Sequence, residues 1–233
     1  MANNSEVLLK VDHLCQYFRL GRKDLKAVDD VSFEIKKGES FGLVGESGCG
    51  KTTLGKCIVR LLKPASGGMY FNDDGEMKDL LKLDRRNSFE LRKKLQIVFQ
   101  DPYASLNPVH TILEAFDEPM RVHGIGGGDK EKRKEIIAEA LTRVNLQPEY
   151  MYRYPHEFSG GQRQRICVAK ALVLQPKLIV CDEPVSALDV SIQAQLLNLM
   201  RKLQKELGIT FVFIAHDLSV VQYMSDRIAV MYL

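Results

Sequence analysis

Cysteine is scarce in this chain, and the cysteines form no pattern typical of a metal site or a disulfide framework. The five cysteines are odd in number and form no Cys-x-x-Cys pair, so we expect neither a zinc site nor a framework of disulfides. Reduced and mostly buried thiols are the expectation for Cys15, Cys49, Cys57, Cys167 and Cys181.

Long hydrophobic runs and concentrated charge are also missing. No apolar stretch approaches the roughly 18 to 20 residues of a membrane span, and the first six residues lack the basic-then-apolar order of a signal peptide. The 33 basic and 30 acidic residues are spread along the chain and leave a net charge of only +3, whereas a nucleic-acid surface needs a concentrated basic face. We therefore expect a cytosolic protein that has no nucleic-acid partner. Such a protein could still bind to a partner in the membrane.

The residues that are present predict an α/β protein of one domain with an insertion. Its 233 residues, 45% hydrophobic and 27% charged, can bury a substantial core. Alternating, turn-rich stretches at 7–11, 27–28 and 31–35 predict a small antiparallel sheet. Further apolar runs, separated by stretches of helical period, predict a parallel sheet covered by helices. These runs are 41–44, 95–99, 178–181 and 210–214.

Residues 101–175 contain no convincing strand and are predicted to be a helical insertion. A helix is expected from about Lys130 to Val144, after the glycine-rich loop 124–128. Its basic start, 130–134, could meet an anionic partner, but a solvated helix face is the favoured interpretation.

The stretch Gly45-Glu46-Ser47-Gly48-Cys49-Gly50-Lys51-Thr52 separates a buried strand from a helix that continues through Thr53. This is the context of a phosphate-binding loop, in which glycines point backbone N–H groups at phosphate oxygens. Lys51 would reach the β- and γ-phosphates, and the Thr52 hydroxyl would face Mg²⁺. Cys49 lies beside this lysine, where a thiolate is favoured; a buried, unreactive thiol is the alternative.

Asp182-Glu183 follows four apolar residues and places two carboxylates at the end of a central strand, where open α/β sheets bind ligands. Asp182 would hold Mg²⁺, and Glu183 would polarise a water for attack on the γ-phosphate. Gln100 and His216 each follow another predicted strand. Gln100 could contact the metal and the water, and His216 could hydrogen-bond the γ-phosphate, although a structural histidine is the alternative there.

A second glycine turn, Ser159-Gly160-Gly161-Gln162, precedes another predicted helix. Ser159 is a good N-cap, and the two glycines expose backbone N–H groups to an anion. Because one small domain cannot usually grip a nucleotide from both ends, we expect this turn to act in trans, with two chains enclosing two ATP molecules.

Together these motifs resemble the ATP-binding-cassette (ABC) ATPases along essentially the whole chain. The resemblance assigns Walker A to 45–52, the Q-loop to Gln100, the signature to 159–162, Walker B to Asp182 and Glu183, the D-loop to Ser186-Ala187-Leu188-Asp189 and the switch histidine to His216. It implies ATP and Mg²⁺ as ligands, with Thr52, Gln100 and Asp182 at the metal. Catalysis would involve Glu183, His216, Gln100 and Lys51. ATP would be contacted by 45–53, by 159–162 and Asp189, and by an adenine-stacking aromatic matched to Phe18, with Tyr17 as the alternative.

The implied fold is a P-loop NTPase, RecA-like core with an antiparallel β-subdomain and an inserted helical subdomain. Residues 1–100 and 176–233 would form the first two, and about 101–175 the third. Detail around 42–51, 99–108 and 154–158 looks like the ATPases of oligopeptide and dipeptide importers, and more like their second, F-type subunit. Thr52 stands where serine is more frequent, and the family's usual C-terminal region, with any iron–sulfur site, is absent after Leu233, as in a truncated chain.

Such a subunit would power peptide uptake from the cytoplasmic face of the membrane. Its partners would be membrane permease subunits, a second ATPase subunit or a second copy of itself, and, indirectly, an extracellular or periplasmic peptide-binding protein. Two alternatives use the same motifs. A soluble ABC ATPase acting on DNA or ribosomes usually carries coiled-coil insertions or tandem cassettes, which the sequence lacks. A regulatory module without turnover would not need Glu183 and His216.

Overall fold

The computed structural model of the chain describes residues 6–21 and 23–232. Residues 1–5, on which the expectation of no signal peptide partly rests, lie outside the described residues, as do 22 and 233. The described strands are β1 (Val7–Leu20), β2 (Lys23–Lys36), β3 (Ser40–Gly45), β4 (Ser66–Asp73), β5 (Glu76–Asp79), β6 (Leu95–Val98), β7 (Leu178–Asp182), β8 (Thr210–Ile214) and β9 (Arg227–Met231). The α-helices are α1 (Lys51–Ile58), α2 (Arg85–Lys94), α3 (Pro102–Ser105), α4 (Ile112–Val122), α5 (Lys130–Arg143), α6 (Gly160–Leu172), α7 (Val190–Leu207) and α8 (Leu218–Met224).

One sheet is antiparallel, with the strand order β2-β1-β4-β5. Strands β1 and β2 are each 14 residues long and exceed the predicted strands, because bulges carry the pairing through polar stretches that interrupt the alternation. His13 and Asp30 take left-handed backbone conformations, with φ of 48° and 54°, and His13 Nδ1 lies 2.6 Å from Asp30 Oδ1. The polar breaks in the sequence are therefore bulges within continuous strands.

The second sheet is parallel throughout, in the order β6-β7-β8-β3-β9. It has an apolar core on each face, since Phe211 and Phe213 pack with the helices of the second half of the chain while Val212 and Ile214 pack with β1, β4 and α1. All residues of β7 and β8 are buried, which explains why both appear in the sequence as unbroken apolar runs.

Between β6 and β7 the described chain forms α3 to α6 and two short 3₁₀ turns, with no strand. Helix α5 begins after Asp129, whose carboxylate accepts hydrogen bonds from the N–H groups of Glu131 and Lys132. Its buried face carries Ile137 and Leu141, in agreement with the predicted helix. None of the described helices combines the length and the apolarity needed to cross a membrane.

The basic start of α5 is only partly the solvated face that the sequence predicted. Arg133 is buried, and its Nε donates to Asp117 Oδ1 on α4 at 2.6 Å. The cause is helical spacing, because Arg133 precedes the buried Ile137 by one turn and so lies on the same face. Lys130 and Lys132 are exposed, as expected.

A charged cluster at the end of β4 ties the antiparallel sheet to the parallel one. Asp73 accepts hydrogen bonds from Lys78, Lys94 and Lys177, which lie in β5 or directly before β6 and β7. Burial raises the pKa of Asp73, but the three ammonium groups outweigh it and hold this pKa well below its usual range. The carboxylate therefore stabilises the folded chain while it is ionised.

We predict that Asp73→Asn lowers the free energy of unfolding by roughly 2 kcal/mol at pH 7, because the paired carboxylate is lost. The difference in the free energy of unfolding between the variant and wild type should shrink as the pH falls below about 5. The stabilisation by Asp73 is present above the pKa of an aspartate in the unfolded chain, near 3.9, and is lost as the pH falls below it. Urea unfolding across this pH range measures both effects. Asp74→Asn is the matched control, because Asp74 pairs with Lys177 but is 78% exposed. Equal losses in the two variants would contradict the assignment.

Candidate nucleotide-binding site

The first glycine loop joins β3 directly to α1. Gly50 is the N-cap of α1 in a left-handed conformation, with φ of 94°. A Cβ at this position would lie 1.8 Å from the carbonyl oxygen of Ala27 in β2, so only glycine fits. The loop is thus pressed against β2, with its backbone at the positive end of the helix.

Lys51 holds the loop in a tight curve from the inside. Its side chain is buried, and Nζ donates to the carbonyl oxygens of Gly45 and Glu46 at 2.8 and 2.7 Å. A buried ammonium next to a helix N-terminus creates a site of positive potential. The loop can therefore bind an anion such as a phosphate.

Thr52 and Asp182 meet at the carboxyl end of the parallel sheet. Thr52 Oγ1 donates to Asp182 Oδ1 at 2.8 Å, and Asp182 is 5% exposed. Burial raises the pKa of Asp182, while the hydrogen bond from Thr52 opposes the rise. A hydroxyl and a carboxylate are oxygen ligands of the kind that Mg²⁺ takes, together with waters and substrate phosphates.

Glu183, Gln100 and His216 converge from three different strand ends. Glu183 Oε2 lies 3.2 Å from Gln100 Nε2 and 3.2 Å from His216 Nδ1. Glu183 itself has a left-handed φ of 47°, and its N–H donates to the carbonyl of Ile214 in β8 at 2.9 Å. This unusual backbone turns the carboxylate away from the strand and towards the other two side chains.

A cavity of about 900 Å³ extends from this carboxylate along the loop to the antiparallel sheet. Lys51, Thr52, Gln100 and Glu183 line one part of it, and Phe18 lines another. The neighbouring Tyr17 is not among its lining residues, and its hydroxyl donates to Asp29. The structure thus brings Phe18, rather than Tyr17, to the cavity that holds the phosphate loop.

The geometry has its counterpart in known proteins. The family model of ABC transporters matches residues 28–186. The chain belongs to the ABC transporter family.

Individual members of the family resemble the chain over nearly its whole length. The oligopeptide transport ATP-binding protein OppF of Bacillus subtilis is 52% identical over 98% of this chain and 73% of its own length. AppF, an oligopeptide transport ATP-binding protein of the same organism, is 52% identical over 100% of the chain and 71% of its own length.

Solved structures of the same family share the fold. The dimeric post-hydrolysis structure of the ATP-binding cassette MJ0796, bound to ADP and Pi, superposes with a TM-score of 0.84 at 31% identity, covering 96% of this chain and 94% of that one. CbiO1 from Clostridium perfringens gives a TM-score of 0.82 at 29% identity, covering 97% and 85%. The predicted ABC ATPase fold is confirmed, and with it the ATP-hydrolysing class of the protein.

In a single ABC chain the second glycine turn lies apart from the cavity. Ser159 Oγ accepts from the N–H of Gln162, whose side chain in turn accepts from the N–H of Ser159, so the turn begins α6 as a capping box. Neither this turn nor Asp189, the exposed N-cap of α7, is among the residues lining the cavity. The structure therefore leaves these predicted ATP contacts without a nucleotide partner on the same chain.

The sequence did not identify several residues of the cavity wall. Lys26, Ala27 and Asp29 of β2 and Tyr232 after β9 line the cavity, but none belongs to a motif. The one local indication of this wall is Gly50, because a glycine at the start of a helix suggests that another chain segment lies too close for a side chain. The sequence does not show which segment that is. These residues reach the ABC site only through long-range sheet pairing.

All five cysteines are free, as expected. Cys49 is 4% exposed, and Cys57, Cys167 and Cys181 are buried as well, whereas Cys15 is partly exposed. Burial raises the pKa of the Cys57 thiol to about 11 and that of Cys167 to about 12. The neighbouring Tyr17 hydroxyl and the hydrogen bond from the Asp30 N–H lower the pKa of Cys15. The structure therefore favours the unreactive alternative for Cys49.

We predict that iodoacetamide alkylates Cys15 first in the native chain, because thiolate character and exposure coincide there. One fast-reacting thiol per chain is expected, at a rate that rises with pH and levels off below the pKa of a free cysteine. Mass spectrometry of partly labelled protein identifies the site. Cys15→Ser should remove the fast phase and Cys49→Ser should leave it intact. Rapid labelling of Cys49 instead would show that the loop thiol is accessible.

Proposed function

We propose that the chain is the ATP-hydrolysing subunit of an ABC importer and powers uptake of oligopeptides or dipeptides. The convergence of Gln100 and His216 on the Glu183 carboxylate, beside the Thr52 to Asp182 hydrogen bond, is the observation that carries the catalytic part. The transport part rests on the oligopeptide transport relatives OppF and AppF. Similarity to transport proteins over the whole chain favours this function over a soluble ABC ATPase of DNA repair or translation.

The loop 45–50 would hold the phosphates of ATP, because the Lys51 ammonium lies on the inside of its curve against the carbonyl oxygens of Gly45 and Glu46. Thr52 and Asp182 are suited to hold Mg²⁺, with Gln100 as a further ligand, because few protein ligands are needed when phosphates complete the shell. The ion would neutralise charge that develops on the phosphate oxygens. Phe18, which lines the other end of the cavity, is the proposed adenine-stacking side chain.

Glu183 is the proposed general base that accepts a proton from the attacking water. Its carboxylate is one-fifth exposed, so a water molecule can reach it. The present contacts of Oε2 with Gln100 and His216 hold the carboxylate in position and leave Oε1 free of protein partners among the described residues. His216, more than half exposed, can then donate to the γ-phosphate.

We predict that Glu183→Gln lowers ATP turnover by about 10²- to 10⁴-fold, the usual contribution of a general base. ATP affinity should stay close to wild type, since the amide keeps the shape of the side chain and the contacts of Lys51 are untouched. Phosphate release and calorimetry measure the two quantities. Glu135→Gln, an exposed position on α5, is the matched control. Wild-type turnover in Glu183→Gln would remove Glu183 from the mechanism.

The second glycine turn, 159–162, and Asp189 complete the site from a partner chain in this proposal. The turn offers N–H groups at the start of a 13-residue helix and lacks a nucleotide partner within its own chain. The related MJ0796 cassette has a dimeric structure with ADP and Pi. The partner would be a second ATPase subunit, or a second copy of this chain, and the chain itself would be the F-type subunit of the pair.

The remaining assembly follows from the same proposal. Permease subunits would hold the pair at the cytoplasmic face of the membrane, and a peptide-binding protein would act on the far side without touching this chain. The helices within about 101–175 would form the subdomain inserted into the core.

We predict that Gly160→Asp abolishes ATP-dependent association while one chain still binds ATP. The side chain fits, because a Cβ at Gly160 meets nothing closer than Leu188 at 3.7 Å. Two unit charges 4 Å apart repel by about 4 kcal/mol at a dielectric constant near 20, which corresponds to roughly a thousandfold weaker dimer. Light scattering with Mg-ATP, in the Glu183→Gln background and with the partner subunit present, measures the association.

Gly160→Asn is the matched control, because the amide has the size of the carboxylate without its charge. It should retain much of the association. If both variants lose association equally, bulk rather than charge is responsible. If both variants associate normally in this background, and both hydrolyse ATP normally when Glu183 is present, the turn does not meet a triphosphate.

A further inference from the structure

Strand β2 runs past both ends of the nucleotide cavity, and Lys26 lies between these ends. Leu25 pairs with Phe18 across the antiparallel sheet, so it marks the end where the proposed adenine-stacking ring lies. The carbonyl oxygen of Ala27 meets the phosphate loop, 1.8 Å from the place where a Cβ of Gly50 would be. A nucleotide whose base contacts Phe18 and whose β- and γ-phosphates enter the loop therefore passes Lys26 with its ribose and α-phosphate.

The side chain of Lys26 lines this cavity and is held in place by its neighbours. Lys26 Nζ donates to Asp29 Oδ2 at 2.8 Å and lies 5.6 Å from the centroid of the Tyr17 ring. Oδ1 of the same carboxylate accepts a hydrogen bond from the Tyr17 hydroxyl. Both carboxylate oxygens are thus engaged, which fixes the acceptor. An ammonium that is positioned in advance loses less side-chain entropy when it binds a ligand.

Lys26 also keeps donors free for a ligand. An ammonium has three N–H donors, and Asp29 is the one hydrogen-bond partner of Nζ among the described residues. The side chain is 62% exposed, so the other two donors face solvent. Of the described residues that line the cavity, Lys26 and Lys51 are the only cationic ones. A charged donor with free N–H groups is suited to a phosphate oxygen.

We propose that Lys26 binds the α-phosphate of the nucleotide and that Asp29 is its positioning residue. The inference rests on the proposed function, since it presumes that ATP occupies this cavity with adenine against Phe18. Lys51 then serves the β- and γ-phosphates, and Lys26 serves the phosphate next to the ribose. ADP carries the α-phosphate as well, so Lys26 strengthens nucleotide binding before and after hydrolysis without favouring the transition state.

Lys26→Met tests the contact, because methionine keeps most of the side chain and removes the charge. The affinities for ATP and ADP should both fall roughly tenfold, at the lower end for a hydrogen bond to a charged group, since exposed charges are screened. Adenosine, which has no phosphate, should bind as before. Lys26→Arg should retain most of the affinity for both nucleotides. Calorimetry in the Glu183→Gln background, which prevents hydrolysis, measures ATP and ADP, and displacement of ADP measures adenosine.

Lys36→Met is the matched control, because Lys36 is an exposed lysine at the other end of β2 and does not line the cavity. It should bind all three ligands as the parent chain does. Hydrolysis with Glu183 present and the partner subunit added gives a second measurement. Lys26→Met should raise KM for ATP and leave kcat unchanged, as expected when equal binding of substrate and transition state is lost. Structural damage would lower the melting temperature and kcat together.

Asp29→Asn tests the positioning role. The amide keeps the shape of the side chain but holds Nζ less firmly, so the affinities for ATP and ADP should fall roughly threefold, as for weakening one hydrogen bond. This loss should vanish in the Lys26→Met background, where no ammonium remains to be positioned. Tighter nucleotide binding by Asp29→Asn would show that the carboxylate repels the phosphates, and would overturn its positioning role.

ATP binding by the chain with Lys26 intact separates this inference from the proposed function. If that chain binds no ATP, the proposed function fails. If it binds ATP, and Lys26→Met binds ATP and ADP equally well, the inference alone is wrong. A loss confined to ATP would assign Lys26 to the γ-phosphate, and an equal loss for adenosine would assign it to the nucleoside. Either result contradicts the assignment to the α-phosphate.

Discussion

The level alignment of the parallel strands is the constraint on which the site depends. Leu43 of β3 and Asp182 of β7 both pair with Ile214 of β8, and Val98 of β6 pairs with Cys181. Each chain segment that leaves these strands therefore starts from the same edge of the sheet. The phosphate loop, Gln100, Glu183 and His216 meet there because the hydrogen-bond register of four strands brings their carboxyl ends to the same level. The Thr52 to Asp182 hydrogen bond then joins the loop helix to the centre of this edge.

Much of this arrangement could be predicted from the residues. The buried strands are apolar runs with one motif at the end of each, so strand position and motif position supported each other. Helix α5 was predicted to within one residue, because its apolar period and the glycine-rich loop 124–128 before it agree. The glycine loop was recognisable since only glycine tolerates the left-handed turn at Gly50. Local chemistry and local backbone geometry were sufficient in all three cases.

The rest depends on contacts between residues that are distant in sequence. The bulges that extend β1 and β2 place polar His13 and Asp30 in the middle of strands, where alternation alone predicts a break. Arg133 was assigned to solvent by its charge, but its partner Asp117 lies on another helix. The walls of the cavity that come from β2 and β9 likewise have no local signature in the sequence. In each case tertiary packing overrides what the residue type prefers on its own.

The central claim is that the strand ends of one chain form a Mg-ATP site around Lys51, Thr52 and Asp182. A crystal structure with Mg²⁺ and a non-hydrolysable ATP analogue tests it most directly. The account predicts phosphates inside the loop 45–50, a metal about 2.0 to 2.1 Å from Thr52 Oγ1, Asp182 bound to that metal directly or through one water, and adenine against Phe18. An analogue bound elsewhere, or bound with the Thr52 to Asp182 hydrogen bond intact and no metal between them and the phosphates, would contradict it.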